Sequence, residues 1–232
     1  MIFGEAWKKA VQKGAFEMGM SFPDNALELM AVHAKELSEW NRRINLTTIT
    51  DPMEMAEKHY LDSLAAMPLL REIFKSENCR GVSLLDVGSG GGFPGIPLKI
   101  SLSGLSVTMV DKVAKKVSFL KHAVRIMGLE NTSASHSRIE IGEGGDFTGS
   151  FDVVACRAFS DIWDFAARAL PCLKDGGRLI AYKGKLVDVE IDRFEKSLEK
   201  TPLNVVIEKT TYHTLPFTQS KRAIVVLKKD TQ

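Results

Sequence analysis

Leu84-Leu85-Asp86-Val87-Gly88-Ser89-Gly90-Gly91-Gly92-Phe93-Pro94-Gly95 is the stretch on which the reading of this chain turns. It opens as a short apolar run, Val82 to Val87, bounded upstream by Gly81, which is the pattern of a buried strand. It then breaks into glycines at 88, 90, 91, 92 and 95. Glycine lacks a Cβ, so the backbone can turn sharply there and bring its N–H groups close to a ligand. Pro94 or Pro97 suits the first turn of a following helix, where no N–H is needed. Strand, glycine turn and helix together predict a cradle for a nucleotide-like cofactor.

The spacing Gly88-x-Gly90, with Asp86 just before it, fits an adenosyl pocket. Gly90-x-Gly92-x-x-Gly95 also matches the dinucleotide fingerprint, a match that is weak by itself. A second strand-like run, Leu105 to Val110, ends at Asp111, about 20 residues beyond the glycines, where a carboxylate can hydrogen-bond ribose hydroxyls.

The 232 residues suffice for one sizeable domain with an extension, and 44% hydrophobic with 26% charged residues describe an ordinary globular chain. No apolar run approaches the roughly 20 residues of a membrane span, and the N-terminus lacks a signal-peptide core, so a cytoplasmic protein without membrane attachment is expected. Cys79, Cys156 and Cys172 form no CxxC pair or Cys/His cluster, so neither a metal nor a disulfide framework is expected. The net charge is only +2, but basic residues cluster at Lys112, Lys115, Lys116, Lys121 and Arg125. Further groups lie at Arg178, Lys183 and Lys185 and at Lys221, Arg222, Lys228 and Lys229. Such clusters can follow a phosphate backbone or form solvated faces.

Residues 1–80 read as a helical cap and 81–232 as a Rossmann-like domain, the two forming one unit. Leu27, Met30, Val32, Leu37 and Trp40 mark one apolar helix face. Asp51-Pro52-Met53-Glu54 reads as an N-cap, a first-turn proline and a capping-box glutamate, opening a helix that carries Met55, Tyr60, Leu64 and Met67 and stops at Pro68. Asn45, His59 and Asp62 are weaker candidates for the site. Beyond the cradle, helix and strand alternate: a helix over Val113 to Met127, a strand Thr132 to His136, a strand Phe151 to Ala155, a helix Ile162 to Leu170, a strand starting at Arg178 after a Gly176-Gly177 turn, and a helix Val187 to Leu198. Leu203 to Thr211 and Arg222 to Lys228 close the chain as an antiparallel pair. The fold class expected is α/β, a mostly parallel seven-stranded sheet with helices on both faces. Ligands in such sheets sit at the C-terminal strand ends, here Gly88, Asp111, Arg138 to Glu140, Arg157 and Lys183.

That order resembles the Rossmann-like class I S-adenosylmethionine-dependent methyltransferases. The resemblance narrows over WNRRINLTTITDPMEMAEKHYLDSL, LLDVGSGGGFPGIPLKI, VDKVAKKVSFLKHAV, FDVVACRAF and GGRLIAYKG, which together look like the RsmG family, also called glucose-inhibited division protein B. It runs from about Trp40 to Gly184, with Cys156 standing where the family often has serine. It implies transfer of a methyl group from S-adenosylmethionine to N7 of one guanine in 16S ribosomal RNA, free or within the 30S particle. It also implies that Gly88, Phe93, Ile139, Glu140 and Arg157 contact the cofactor; Asp86, Gly90 and Asp111 join them from the residue reading, and the protein is expected to act as a monomer. Arg157 and Lys183 are the expected catalytic pair, holding phosphate or the guanine O6 edge, and Arg157→Ala is expected to cut methylation while sparing the fold. Phe93 is expected at the adenosyl group rather than in the core. The alternatives are a non-catalytic, cofactor-sensing RNA-binding regulator, a methyltransferase acting on another RNA atom through Cys156 as nucleophile, a small-molecule methyltransferase and a dehydrogenase.

Overall fold

Val82–Val87, the run that precedes the glycines, forms β1 near the middle of a seven-stranded sheet. The structure is a computed structural model and describes residues 2–76, 81–142, 145–157, 159 and 161–230; Cys79 and Ala158 lie outside them. The sheet order is β3-β2-β1-β4-β5-β7-β6, with β2 Leu105–Asp111, β3 Thr132–His136, β4 Phe151–Cys156, β5 Leu173–Lys183, β6 Val205–Thr214 and β7 Lys221–Lys229. β1 to β5 pair in parallel, and β7 turns the direction, running antiparallel to both β5 and β6. The order reverses between β1 and β4, the switch point at which open α/β sheets form ligand crevices.

β5 begins five residues before the expected Arg178. The glycine pair lies inside the strand: Gly176 takes φ +75°, and a Cβ on Gly177 would come within 3.0 Å of Lys174 O and 3.1 Å of Asp152 O. The pair thus absorbs the irregular register opposite Phe151 and Val153 instead of ending an earlier turn.

Side chains alternate across the pleat and build two apolar layers. Leu84, Val107, Met109, Val153, Ile180 and Val226 face one side, where α6 (Gly95–Ser101) and α7 (Ala114–Ile126) pack together with the N-terminal helices. Leu85, Val110, Val154, Leu179 and Val225 face the other, covered by α8 (Ile162–Ala169) and α9 (Val187–Lys200). The N-terminal helices therefore share a continuous core with the sheet: α1 (Glu5–Glu17) contributes Trp7, Val11 and Ala15, and α2 (Ala26–Asn41) contributes Met30, Ala34 and Leu37. On α2 the apolar face is rotated from the expected one. Val32 is exposed, and the fully buried polar residue His33 takes its place.

Asp51 caps α3 (Pro52–Met55), its Oδ1 accepting from Met53 N and Glu54 N at 2.9 Å. Glu54 makes no return bond and instead accepts from Lys58 Nζ at 2.9 Å. The chain then widens into a π-helical turn, Ala56–Leu61, before α4 (Asp62–Leu64). The five-residue step from Met55 to Tyr60, too long for one α-turn face, fits that extra residue per turn. Pro68 does not stop this helix; it sits in the first turn of α5 (Met67–Ser76), where its missing N–H costs nothing.

Gly95 lets α6 settle onto β1 and β2, since a Cβ there would lie 2.8 Å from Asp86 Oδ2, 3.1 Å from Val107 Cγ1 and 3.2 Å from Met109 Cγ. Gly95→Ala should therefore overpack this contact and lower stability by about 1–2 kcal/mol, after a helix-propensity gain of up to about 1 kcal/mol. A urea midpoint no lower than that of the wild type would refute the packing role.

Candidate active site

A cavity of about 340 Å³ opens at the C-terminal ends of β1, β2 and β3. Its walls are Val87, Gly88, Val110, Asp111, Lys112, Val113, Lys116, Ser137, Arg138, Ile139, Phe159, Asp164 and Arg168. Three glycines of the turn have left-handed backbones, Gly88 at φ 72°, Gly90 at φ 55° and Gly92 at φ 90°, which a side chain would strain. The turn is tied to β2: Gly88 N and Ser89 N donate to Val110 O at 2.8 and 3.1 Å, and Gly90 N donates to Asp111 Oδ2 at 3.0 Å. Asp111 Oδ1 accepts from Val113 N at 2.9 Å. Each oxygen of this carboxylate carries a second lone pair, so protein contacts do not exhaust it as an acceptor.

The five glycines divide by role. Gly88 lines the cavity, and Gly90 is tied to the lining residue Asp111. Gly91 and Gly92 lie beneath α2, where added Cβ atoms would meet Leu37 Cδ1 at 2.8 Å and Ile96 Cδ1 at 2.4 Å, with His33 Nε2 3.4 Å from the latter. Asp86 is fully buried, and its Oδ2 accepts from Gly95 N at 2.9 Å. Burial raises its pKa to about 7, against the opposing pull of the Gly95 N–H. Among the expected cofactor residues, Gly88, Asp111 and Ile139 line the cavity, while Asp86 holds the turn to α6 from below. Glu140 is exposed at the rim and pairs with Arg138 at 3.2 Å and Arg168 at 3.3 Å. The Phe93 ring lies in the core, not along the cavity wall: it stacks on His59 with centroids 4.4 Å apart and meets the edge of Tyr60 at 5.4 Å.

Arg157, at the end of β4, is built into the protein. It donates to His59 O (3.1 Å), Ser63 Oγ (2.8 Å) and Lys58 O (2.5 Å), and it pairs with Asp62 Oδ2 at 2.9 Å. Its guanidinium also lies over Phe93 at 5.8 Å. Lys183, at the end of β5, is buried, donating to Phe159 O at 3.0 Å and pairing with Glu190 at 2.6 Å. The structure thus brings Arg157, His59, Asp62 and Phe93 into one group and sets Lys183 apart, against Phe159. Asn45, the third weaker candidate, is exposed in the loop after α2.

The basic groups also separate. Lys112 and Lys116 flank the cavity, and Lys115, Lys121 and Arg125 continue along the exposed side of α7. Arg178 pairs with Glu208 at 2.6 Å and lies opposite Lys228, toward the other end of β5 from Lys183. Arg222 stays at the site end, 3.7 Å from Asp62. Cys156 is buried in the apolar layer, its sulfur accepting from Phe159 N at 3.3 Å, which offers no support for a covalent nucleophile. Among the described residues no cluster of metal-ligating side chains occurs, and no helix is long and apolar enough to cross a membrane.

Sequence reasoning passed over His33 and Glu57 and placed Tyr60 only on the packed stripe of its helix. Tyr60 Oη lies 2.8 Å from His33 Nδ1, and His33 Nε2 lies 3.0 Å from Gly91 O. Their signal was available: His33 stands three residues after Met30 and four before Leu37, in the middle of an apolar face. Burial lowers the pKa of His33 to about 3 and, together with the charge of Arg157, that of His59 to about 3. At Asp62 burial acts upward but is outweighed by Arg157, His213 and Arg222, leaving its pKa below the usual value.

A seven-stranded sheet of this order, with a glycine turn after β1 and a carboxylate closing β2, defines a Rossmann-like class I S-adenosylmethionine-dependent methyltransferase. Solved structures agree on the fold. A putative methyltransferase of this class from Methanococcus maripaludis superposes with a TM-score of 0.53 at 13% identity, over 86% of this chain and 93% of that one. TrmN from Thermus thermophilus gives 0.51 at 17% identity, over 75% of this chain and 53% of that one. The model of the GidB family, rRNA small subunit methyltransferase G, matches residues 26–217, and the chain belongs to that family. Ribosomal RNA small subunit methyltransferase G of Geobacter sp. (strain M21) is 41% identical over 95% of this chain and 96% of its own. The protein of that name from Geobacter sulfurreducens is 40% identical over 94% and 95%.

Arg157→Ala should not spare the fold. It would strand the Asp62 carboxylate, 8% exposed, with only His213 and Arg222 at 3.7 Å, and stability should fall by about 3 kcal/mol. Chemical denaturation showing a loss below about 1 kcal/mol would contradict this. Acid sensitivity follows from the buried titrating groups. His33 and His59 stay neutral in the folded chain down to about pH 3 but take up protons near 6.5 when unfolded, so each withdraws stability as the pH falls through that window. Asp86 works in the opposite sense: raised from 3.8 to about 7, it contributes stability below 3.8 that is lost as the pH rises through 7. Two groups against one leave stability falling by about 1.4 kcal/mol per pH unit on acidification from about pH 6.5 to 4. Asp86→Asn, which keeps an acceptor for Gly95 N, should roughly double that slope; an unchanged slope in urea titrations across this range would exclude the assignment.

Proposed function

We infer that this protein transfers the methyl group of S-adenosylmethionine to N7 of one guanine in 16S ribosomal RNA. The observation that carries the reading is the near full-length kinship with proteins named ribosomal RNA small subunit methyltransferase G, in a chain whose glycine turn and Asp111 are intact. The cavity fits the cofactor: its volume falls in the range of about 300–1,000 Å³ usual for small-molecule sites, and its lining combines apolar side chains such as Val113 and Ile139 with the acceptor Asp111. Val113 and Ile139 supply surface for an adenine ring, and the remaining lone pairs of Asp111 suit the ribose hydroxyls. Gly88 and Gly90 allow close backbone approach, Glu140 closes the rim, and Asp86, Phe93 and Arg157 hold the turn from beneath.

S-adenosylmethionine supplies, when bound, an electrophilic methyl group on a positively charged sulfur. Guanine N7 carries an in-plane lone pair that is free of hydrogen, so the chain needs no general base to expose it. What remains is alignment of the acceptor and exclusion of water. Arg157 and Lys183 serve that alignment by fixing the 58–63 turn and the Phe159 segment at the ends of β4 and β5. Lys112, Lys115, Lys116, Lys121 and Arg125 offer a cationic edge to RNA phosphates. The partner is 16S rRNA, free or in the 30S particle, met by a monomer in the cytoplasm.

Labelled methyl transfer to 16S rRNA or the 30S particle, followed by reduction and amine cleavage at N7-methylguanine, tests the reading. Label should accumulate with time at one cleavable guanine. Label without cleavage would move the target atom, and no transfer at all would reject the enzyme.

A further inference from the structure

We propose that His33 is a positioning residue for the cofactor turn, holding the Gly91–Gly92 peptide in one orientation through a Tyr60–His33–Gly91 hydrogen-bond relay. The inference rests on the reading of this turn as the S-adenosylmethionine site. A peptide between two glycines is weakly restrained, because neither flanking residue penalises left-handed φ and the unit can flip. Gly92 is already left-handed at φ 90°, and its N–H donates to Ser89 O at 2.7 Å. A flip would reverse Gly91 O, break that bond and shift Ser89 and Gly90, the residues that join the turn to Val110 and Asp111.

His33 opposes the flip from outside the turn. A carbonyl only accepts, so the 3.0 Å contact with Gly91 O requires a proton on Nε2. In the neutral ring Nδ1 is then the acceptor, and Tyr60 Oη donates to it at 2.8 Å. The Tyr60 hydroxyl thereby selects the tautomer that caps Gly91. Both side chains are fully buried, and Phe119 stacks on the His33 ring at 5.9 Å, so the donor cannot swing away. Burial keeps the imidazole neutral through the physiological range.

The test compares His33→Phe, which keeps a ring but loses both hydrogen bonds, with His33→Gln, whose amide can donate to Gly91 O, and Tyr60→Phe, which deletes one oxygen. Binding of S-adenosylhomocysteine is measured by calorimetry, KM and kcat by methyl transfer, and Tm alongside. His33→Phe should weaken binding about tenfold and raise KM for S-adenosylmethionine in step, with kcat at saturation close to wild type. His33→Gln should recover most of the affinity, and Tyr60→Phe should show a smaller loss in the same direction. Wild-type affinity in both His33→Phe and Tyr60→Phe, with only Tm lowered, would overturn the proposal. Wild-type protein that binds no S-adenosylhomocysteine would overturn the functional reading and this inference with it.

Discussion

The Arg157 guanidinium and the widened turn it grips are what the remaining architecture depends on. A π-turn is a poor helix by itself, and this one persists because partners arrive from every side. Arg157 reaches across from β4 to the carbonyls of Lys58 and His59. Glu57 accepts from Phe217 N and Thr218 N, in the loop between β6 and β7. Tyr182, on β5, donates to Ser63 O at 2.6 Å, and His59 stacks on Phe93 of the glycine turn. Residues 57–63 thus join the N-terminal helices, two central strands, the terminal hairpin and the glycine turn. Moving the strands or the terminal hairpin away from this segment would break polar contacts that are buried or partly buried, which cost more than equivalent exposed ones.

How much of this could be read in advance follows from the range of the interactions. The strand, the glycine turn, the Asp51 cap and the terminal hairpin are local patterns, and each is present within a few residues of its expected place. The π-turn is not local. Met55, Tyr60 and Leu64 carry a spacing of five and then four, but only the tertiary contacts of Glu57 and Arg157 show why the helix accepts an extra residue. Val32 is the expected core residue of α2 because an apolar residue is by default the better candidate; the structure buries His33 instead, and the hydrogen bonds that justify burying an imidazole come from residues 27 and 58 positions away. At Arg157 the motif marked the position, while its partners in residues 58–63 settle what the side chain holds.

The glycine turn shows the same division within one motif. A sequence of glycines before a helix suggests that each is there for the ligand. Of these only Gly88 lines the cavity; Gly91, Gly92 and Gly95 are constrained by Leu37, Ile96, Asp86, Val107 and Met109. The turn is shaped between a ligand surface and a protein surface, so the N-terminal helices take part in building the cradle. A helical cap that merely shielded the site would not require glycine on its own side of the turn.

The charges at the strand ends follow a matching logic. A sulfonium cofactor brings a positive charge that disappears on methyl transfer, and unpaired cations beside it would oppose its binding. Arg157 is half-buried and Lys183 buried at this end of the sheet, and each is matched by a carboxylate, Asp62 at 2.9 Å and Glu190 at 2.6 Å. Pairing removes most of the long-range repulsion that either cation would exert, while the hydrogen bonds each makes to backbone carbonyls keep it fixed. Lys112 and Lys116, which flank the cavity, carry no ion pair among the described residues, so solvent screening rather than pairing limits their repulsion toward the cofactor. The strand ends can therefore carry conspicuous basic residues beside a site for a cationic cofactor, because the cations set into the fold are paired and the unpaired ones are open to solvent.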